Sequence, residues 1–387
     1  MNPCVGRDAA VTLFGSEQVT RARRYWRPRY AAALANGAFG LALLAALSFG
    51  PVGDRLFSPF DDWPWWAAAP AIVAITIVLG TLVRLPLSFW TGYLREHSWG
   101  FSTQTLAGWG ADRLKSLAVG LMLAEAALVG LVATAHAFPS WWPLVAAAAA
   151  AAIVLLVSWA APVVLEPLFN RARPLDDARL ATELRALADQ AGVPVHEVLV
   201  TDASRRTRKL NAYVSGLGST RRVVLFDTLA DEAPPAEVRL VVAHELGHRR
   251  ARHVAKGTAL GIGAAAAFVF VLWAIDAAGW RSVTDPRVIP FALFLAACLE
   301  ALLAPLGSAL SRRWERQADD FSLALTGDPM AFESTHRRLA LSNLADLAPP
   351  RLVYLAWFTH PTEPERILRA RRSTRGGTRI VATSPGT

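Results

Sequence analysis

Six stretches of the chain are long and apolar enough to cross a lipid bilayer, and they decide what it can fold into. They cover residues 30–50, 65–83, 116–135, 141–165, 257–280 and 288–310. About 20 apolar residues in a helix span the hydrocarbon core, and a chain inside that core must satisfy its own backbone groups. Three of the stretches contain no charged residue, and the others hold one acid each, Glu125, Asp276 and Glu300. Trp65, Trp66, Trp141, Trp142 and Trp280 stand at their ends, as interfacial aromatics do. Charged residues make up 18% of the chain, against about 25% in soluble domains. This excludes a soluble two-domain enzyme. The first stretch ends in "ALSFGPVGD", a poor cleavage site, and reads as an uncleaved anchor.

Net charge is +9, and Arg supplies nearly all of the cations. Arg21, Arg23, Arg24, Arg27 and Arg29 precede the first span, whereas "DRLFSPFDDWP" after it holds one Arg and three Asp. The second connection carries Arg84, Arg95, Arg113 and Lys115, and the third, "HAFPS", carries no Lys, Arg or acid. Residues 166–256 and those from 312 onward are again Arg-rich. Counting positive charges places both termini, the second connection and the central segment on the cytoplasmic side of a multi-pass cell-membrane protein. The second connection leaves room for a further polar or re-entrant helix. No basic stretch is interleaved with aromatics, so nucleic acid is not an expected partner; a lipid bilayer and a protein or peptide substrate are. Cys4 and Cys298 make neither a disulfide framework nor a thiolate metal site.

The expected fold is mainly α, a polytopic helical membrane protein with a small α+β domain on its cytoplasmic side. Residues 1–29 read as an N-terminal tail, 30–165 as a region of about four spans, 166–372 as a domain containing the last two spans, and 373–387 as a disordered tail. Within the third segment, residues 176–192 form an amphipathic helix with an Asp start and a Gly stop. "VHEVLVTD", "LNAYVSGL" and "RRVVLFDTL" read as strands, the last two joined by a "GST" hairpin.

A helix follows that carries "VVAHELGHRRARH" (241–253). At about 100° per residue, His244 and His248 share a face and can hold one metal ion. Glu245 lies beside them, placed for an attacking water instead of the metal. This is the His-Glu-x-x-His arrangement of zinc peptidases; the alternative is a surface helix that happens to be polar. Zinc needs a third protein ligand and an open position. His253, nine residues from His244, falls on the opposite face of a continuous helix and is rejected as a ligand in favour of a supporting or surface role. In "SRRWERQADDF", Glu315 and Asp319 share a helix face. Glu315 can complete a His/His/Glu site with Asp319 steadying an imidazole, or the pair can be an exposed acidic patch balancing Arg312, Arg313 and Arg316.

Several blocks together carry a resemblance: "REHSWGFSTQTLAGWGADRLK", "EPLFNRARPL", "NAYVSGLGSTRRVVLFDTL", "HELGH", "SRRWERQAD" and "THPTEPER". Over residues 85–366 the chain resembles the membrane zinc metallopeptidases of the type-1 CAAX prenyl protease family, which is related to the heat-shock membrane protease HtpX. The resemblance implies a gluzincin-like domain and one zinc per chain on His244, His248 and Glu315. It implies Glu245 as general base, Asp319 as supporting acid and His360 as an aid at the scissile carbonyl. Asn211, Ala212 and Tyr213 would line the cleft, with Arg366 also near the substrate. Eukaryotic members have seven spans around a water-filled chamber, and this chain has six. The three intramembrane acids fit a hydrated interior, although Asp276 is also near a span's end.

The implied reaction is hydrolysis of peptide bonds in membrane-associated or unfolded proteins, with Glu245 passing a proton from water to the leaving amine. "LNAYVSG" can pair with an extended substrate or simply complete its sheet. The Ala- and Arg-rich, Lys-poor composition is that of a GC-rich bacterium, where prenylated substrates are not expected and quality control of membrane proteins is the natural task. A zinc-bearing membrane scaffold and a transporter are the rival classes. The intact ligand set speaks against the first, and the lack of an internal repeat against the second.

Overall fold

The structure, a computed structural model, describes residues 6–216 and 218–375. Cys4 and all of the expected disordered tail beyond Arg375 lie outside the described residues. In chain order the main elements are helices α1 (Ser16–Phe49), α2 (Trp65–Ser98), α3 (Leu106–Ala137) and α4 (Trp142–Phe169). A small domain follows with strand β1 (Ala172–Pro174), helix α5 (Ala178–Gln190), strands β2 (Glu197–Thr201), β3 (Ala212–Ser215) and β4 (Arg222–Phe226), and helix α6 (Pro235–Arg250). Helices α7 (His253–Ala277), α8 (Val288–Thr326), α9 (Pro329–Ser342), α10 (Arg351–Trp357) and α11 (Glu363–Arg375) complete it.

Among the described residues six helices are long and apolar enough to span, namely α1 to α4, α7 and α8. The number is the expected one, but most of the helices are longer than the apolar stretches. Within the expected N-terminal tail the described residues are helical: a helix covers Arg7–Phe14 and α1 begins at Ser16. The Arg-rich turns of α1 run outside the membrane and bury Val19 against Ala340 and Leu347, and Tyr25 against Phe101 and Leu344. Tyr25 and Arg29 both donate to Glu96 near the end of α2, and Lys209 of the small domain reaches the same carboxylate at 2.9 Å. The second connection hides no further helix, because α2 continues through a π-helical turn at Trp90–Leu94 until only residues 99–105 separate it from α3.

The spans form a ring: α1 packs on α2 and α8, α2 on α3, α3 on α4 and α4 on α7, while α7 and α8 meet only lightly. Packing is concentrated at the end far from the small domain. There Leu47, Phe57, Ile72, Val73, Leu131, Val132, Trp142, Leu272 and Ile289 form one core. Against lipid tails such contacts gain by close fit instead of by exclusion of water. Nearer the small domain the spans bury almost nothing: no residue of α2 after Thr76, of α4 after Ala146, or of α8 between Ala292 and Ser308 is buried. Helices that touched along their whole length would bury a stripe, so the spans part from one another toward the small domain. Glu300 is exposed and Glu125 half-buried, as a wetted wall allows. Asp276 instead accepts the backbone N–H of Val283 at 3.3 Å and holds the far-end connection between α7 and α8.

The small sheet has the order β1-β2-β4-β3. β2 and β4 are parallel, and the outer pairings are antiparallel. Central β4 buries Val223, Val224 and Leu225 in succession, as a strand covered on both faces must. Asp177 caps α5 by accepting the Leu180 N–H at 2.9 Å. Leu180, Leu184 and Leu187 of α5 and Val238, Val242 and Leu246 of α6 share one core with β2 to β4. The three expected strands are present, and β3 and β4 form the expected antiparallel hairpin. β1 was not expected, being three exposed residues with no alternation.

Candidate metal centre

Pro235 stands in the first turn of α6, where its missing N–H costs nothing. Two turns on, the helix presents its histidines to α8. A Cβ at Gly247 would lie 3.1 Å from Cα of Ala318, so the absence of a side chain there sets how closely α6 and α8 approach. The approach brings one ligand atom from each of His244, His248 and Glu315 within 4.8 Å of one another. His244 Nε2 lies 3.3 Å from Glu315 Oε2, and His248 Nε2 lies 3.3 Å from Glu315 Oε1.

Glu315 and Asp319 are 5% and 1% exposed, which removes the reading of an acidic surface pair. Asp319 Oδ1 accepts from His244 Nδ1 at 3.0 Å. Arg366 grips Asp319 through two nitrogens and lies 3.3 Å from His244 Nδ1. Arg366 is therefore behind the ligand, buried, and not at the substrate as the sequence reading had it. The reason is the carboxylate of Asp319, which offers a bidentate partner that residue spacing cannot reveal.

Glu315 Oε2 is buried and has no hydrogen-bond partner. A buried carboxylate oxygen without a donor is costly; His244 Nε2 faces this oxygen, and His248 Nε2 faces the other oxygen of the same carboxylate. This donor set of two imidazoles and one carboxylate fits zinc. Glu245 lies beside these atoms and outside the set. Burial pushes its carboxyl above the usual range, against the pull of His244 and His248. That strengthens it as a base.

His360 closes the mouth, its Nε2 3.2 Å from Glu315 Oε1 and its side chain 60% exposed. It is held indirectly by α8. Ser308 donates to the carbonyl of Ala356 at 2.8 Å, and buried Arg312 donates to those of Tyr354 and Phe358. Arg312 had read as bulk positive charge; its one signal was its place three residues before Glu315, on the same helix face. Beneath lies a second buried pair, His336 and Glu363, at 2.6 Å. Nothing in the sequence links residues so far apart.

β3 is the sheet's open edge. The carbonyl of Asn211 accepts from Phe226, so Asn211, Tyr213 and Ser215 bond toward β4, while Leu210, Ala212 and Val214 turn outward. The side chain of Asn343 occupies both backbone groups of Leu210, at 2.8 and 3.0 Å. Arg249 donates to the carbonyl of Val214. Ala212 is the rung between them, its N–H held by its neighbour's Asn211 Oδ1 at 2.9 Å. Tyr213 faces elsewhere and donates to Glu166 at 2.7 Å, tying the strand to the end of α4.

Residues 174–374 match the model of peptidase family M48, and residues 9–171 match a model described as CAAX prenyl protease N-terminal, five membrane helices. Four spanning helices occupy that region here. The uncharacterized metalloprotease YhfN of Bacillus subtilis is 30% identical over 312 residues, covering 78% of this chain and 72% of its own length. CAAX prenyl protease 1 of Saccharomyces cerevisiae is 28% identical over 319 residues, 75% of this chain and 69% of that protein. The crystal structure of Ste24p from S. mikatae shares the fold, with a TM-score of 0.74 over 91% of this chain and 88% of the other at 24% identity.

Proposed function

Because the chain belongs to peptidase family M48 and is a membrane-embedded metalloprotease, we infer that its metal is a single zinc ion held by His244, His248 and Glu315. The observation that carries this reading is the buried Glu315 carboxylate, its Oε2 facing His244 Nε2 and its Oε1 facing His248 Nε2, with Glu245 outside the ligand set. Zinc bound there supplies a Lewis acid that makes water acidic near pH 7. Asp319 accepts from His244 and so leaves Nε2 free to act as the ligand atom. Arg366 keeps Asp319 charged and in place.

An extended substrate lies along β3 and pairs with Ala212, whose N–H is held only by the side chain of its neighbour Asn211. Glu245 accepts a proton from the attacking water and returns it to the leaving amine. His360 sits where it can donate to the carbonyl oxygen as charge develops there. The small domain and both termini face the cytoplasm, following the Arg-rich connections. Substrates are membrane-associated or unfolded proteins.

Glu245→Gln tests the reading, because it keeps the size of the side chain and removes its basicity. The variant should hold zinc and melt as wild type does, yet cleave a membrane-tethered or unfolded peptide about 10²–10⁴-fold more slowly. Glu315→Ala should lose the metal. Cleavage by Glu245→Gln at close to the wild-type rate would mean that the activity resides elsewhere.

A further inference from the structure

The helix that carries the two metal-facing histidines ends at Arg250. The chain then passes through Arg252 at φ 56°, in the left-handed region, before α7 begins. A residue with a side chain is uncommon there, and this single turn decides between the supporting and the surface role that the sequence leaves open for His253. On a continuous helix it would face away from His248. Instead it folds back onto it, 4% exposed, with its Nδ1 3.0 Å from Nδ1 of His248. Its other nitrogen lies 3.0 Å from Oε1 of Gln317. Its ring stacks on Trp314, centroids 5.1 Å apart and planes 10° off parallel. Trp314 and Gln317 flank Glu315 on α8, so His253 bridges the two helices that supply the ligands.

Proton positions follow from the chemistry of imidazole. If His248 offers Nε2 to a metal, its proton is on Nδ1, and that N–H must donate. The atom it faces, His253 Nδ1, must then be the acceptor. His253 therefore carries its proton on Nε2, and the atom facing that proton is a carbonyl oxygen, Gln317 Oε1. One arrangement satisfies all three residues without a charge. His244 is supported differently, by the carboxylate of Asp319.

Resting on the assignment of His248 as a ligand, we propose that His253 is a positioning residue of the metal centre. It fixes the tautomer and ring plane of His248 through a neutral His248–His253–Gln317 relay. Partners of this kind are worth about 10–100-fold in metal affinity.

The test uses the full-length protein in detergent. Zinc and cobalt(II) dissociation constants are measured by chelator competition, together with the visible absorption of the cobalt form. His253→Phe keeps an aromatic ring for Trp314 and removes the acceptor; Gln317→Leu removes the end of the relay. His253→Phe should weaken zinc binding about 10–100-fold and shift the cobalt spectrum, while the metal-free protein melts as wild type does. Gln317→Leu should act in the same direction, yet add almost nothing in the His253→Phe background, as members of one network do. If His253→Phe fails to fold, Gln317→Leu alone must still weaken zinc binding and shift the spectrum. Wild-type affinity and spectrum in either folded variant, or losses that simply add, would overturn the proposal. Glu315→Ala separates this failure from a deeper one: if it too binds zinc as wild type does, the metal site itself has been misassigned.

Discussion

A methyl group added at Gly247 would lie 3.1 Å from Cα of Ala318 and equally close to the ring of Phe321. Neither neighbour is the free end of a flexible chain, so α6 would have to move off α8, and the distance between the two histidines and Glu315 is set by that contact. Gly247→Ala should therefore destabilise the fold by about 1–3 kcal/mol and loosen the metal as well, measured as a lower melting temperature and faster loss of zinc to a chelator; a variant indistinguishable from wild type on both would show that the contact is slack. The ligand histidines were legible in the sequence because both lie on one helix, where geometry is fixed by residue count. Glu315 and Asp319 were legible only as a pair on one face, since spacing says nothing about burial. For His253 the sequence leaves a supporting and a surface role open, because Arg252, unlike a glycine, gives no warning of a left-handed turn. Arg366 was assigned to the substrate because its true partner, Asp319, lies on a different helix.

Strand β3 offers an incoming chain very little. Asn343 closes one end of its edge and Arg249 the other, and between them stands Ala212. Ala212→Pro would remove the one backbone N–H there, which a substrate must win from the Asn211 side chain, at an outward position that an edge strand tolerates. It should lower kcat/KM on an extended peptide about tenfold, the worth of roughly one hydrogen bond, with zinc content and melting temperature unchanged. Unaltered kcat/KM would mean that substrate does not pair with this edge. The strands themselves were readable from their apolar runs, and β1 was not, because three exposed residues make no pattern. The helices were readable only over their membrane portions. Hydropathy marks where a helix meets water, but α1, α2 and α8 continue past that boundary as amphipathic helices that pack on the small domain.

Across the whole molecule, the far-end loops carry three Arg, Arg55, Arg281 and Arg287, and the segments around the small domain carry far more, which is the basis for the proposed cytoplasmic site. Reporter fusions at Asp61, at His196 and after the final residue should read outside, inside and inside; an outside signal at His196 would invert the protein. The ring of spans was countable from the sequence, but its closure was not. Small and branched side chains such as Ala69, Val73 and Val132 look the same in a tight core as in lipid, and only their partners tell which they meet. That closure has an electrical meaning. A protein whose spans part within the thickness of a bilayer risks short-circuiting the ion gradients the bilayer maintains. Here the far-end core, from Leu47 to Ile289, is the insulation. Side chains from all six spans meet in it, so the helices can part around the metal centre while the far end stays sealed, and the chain can cut without becoming a channel.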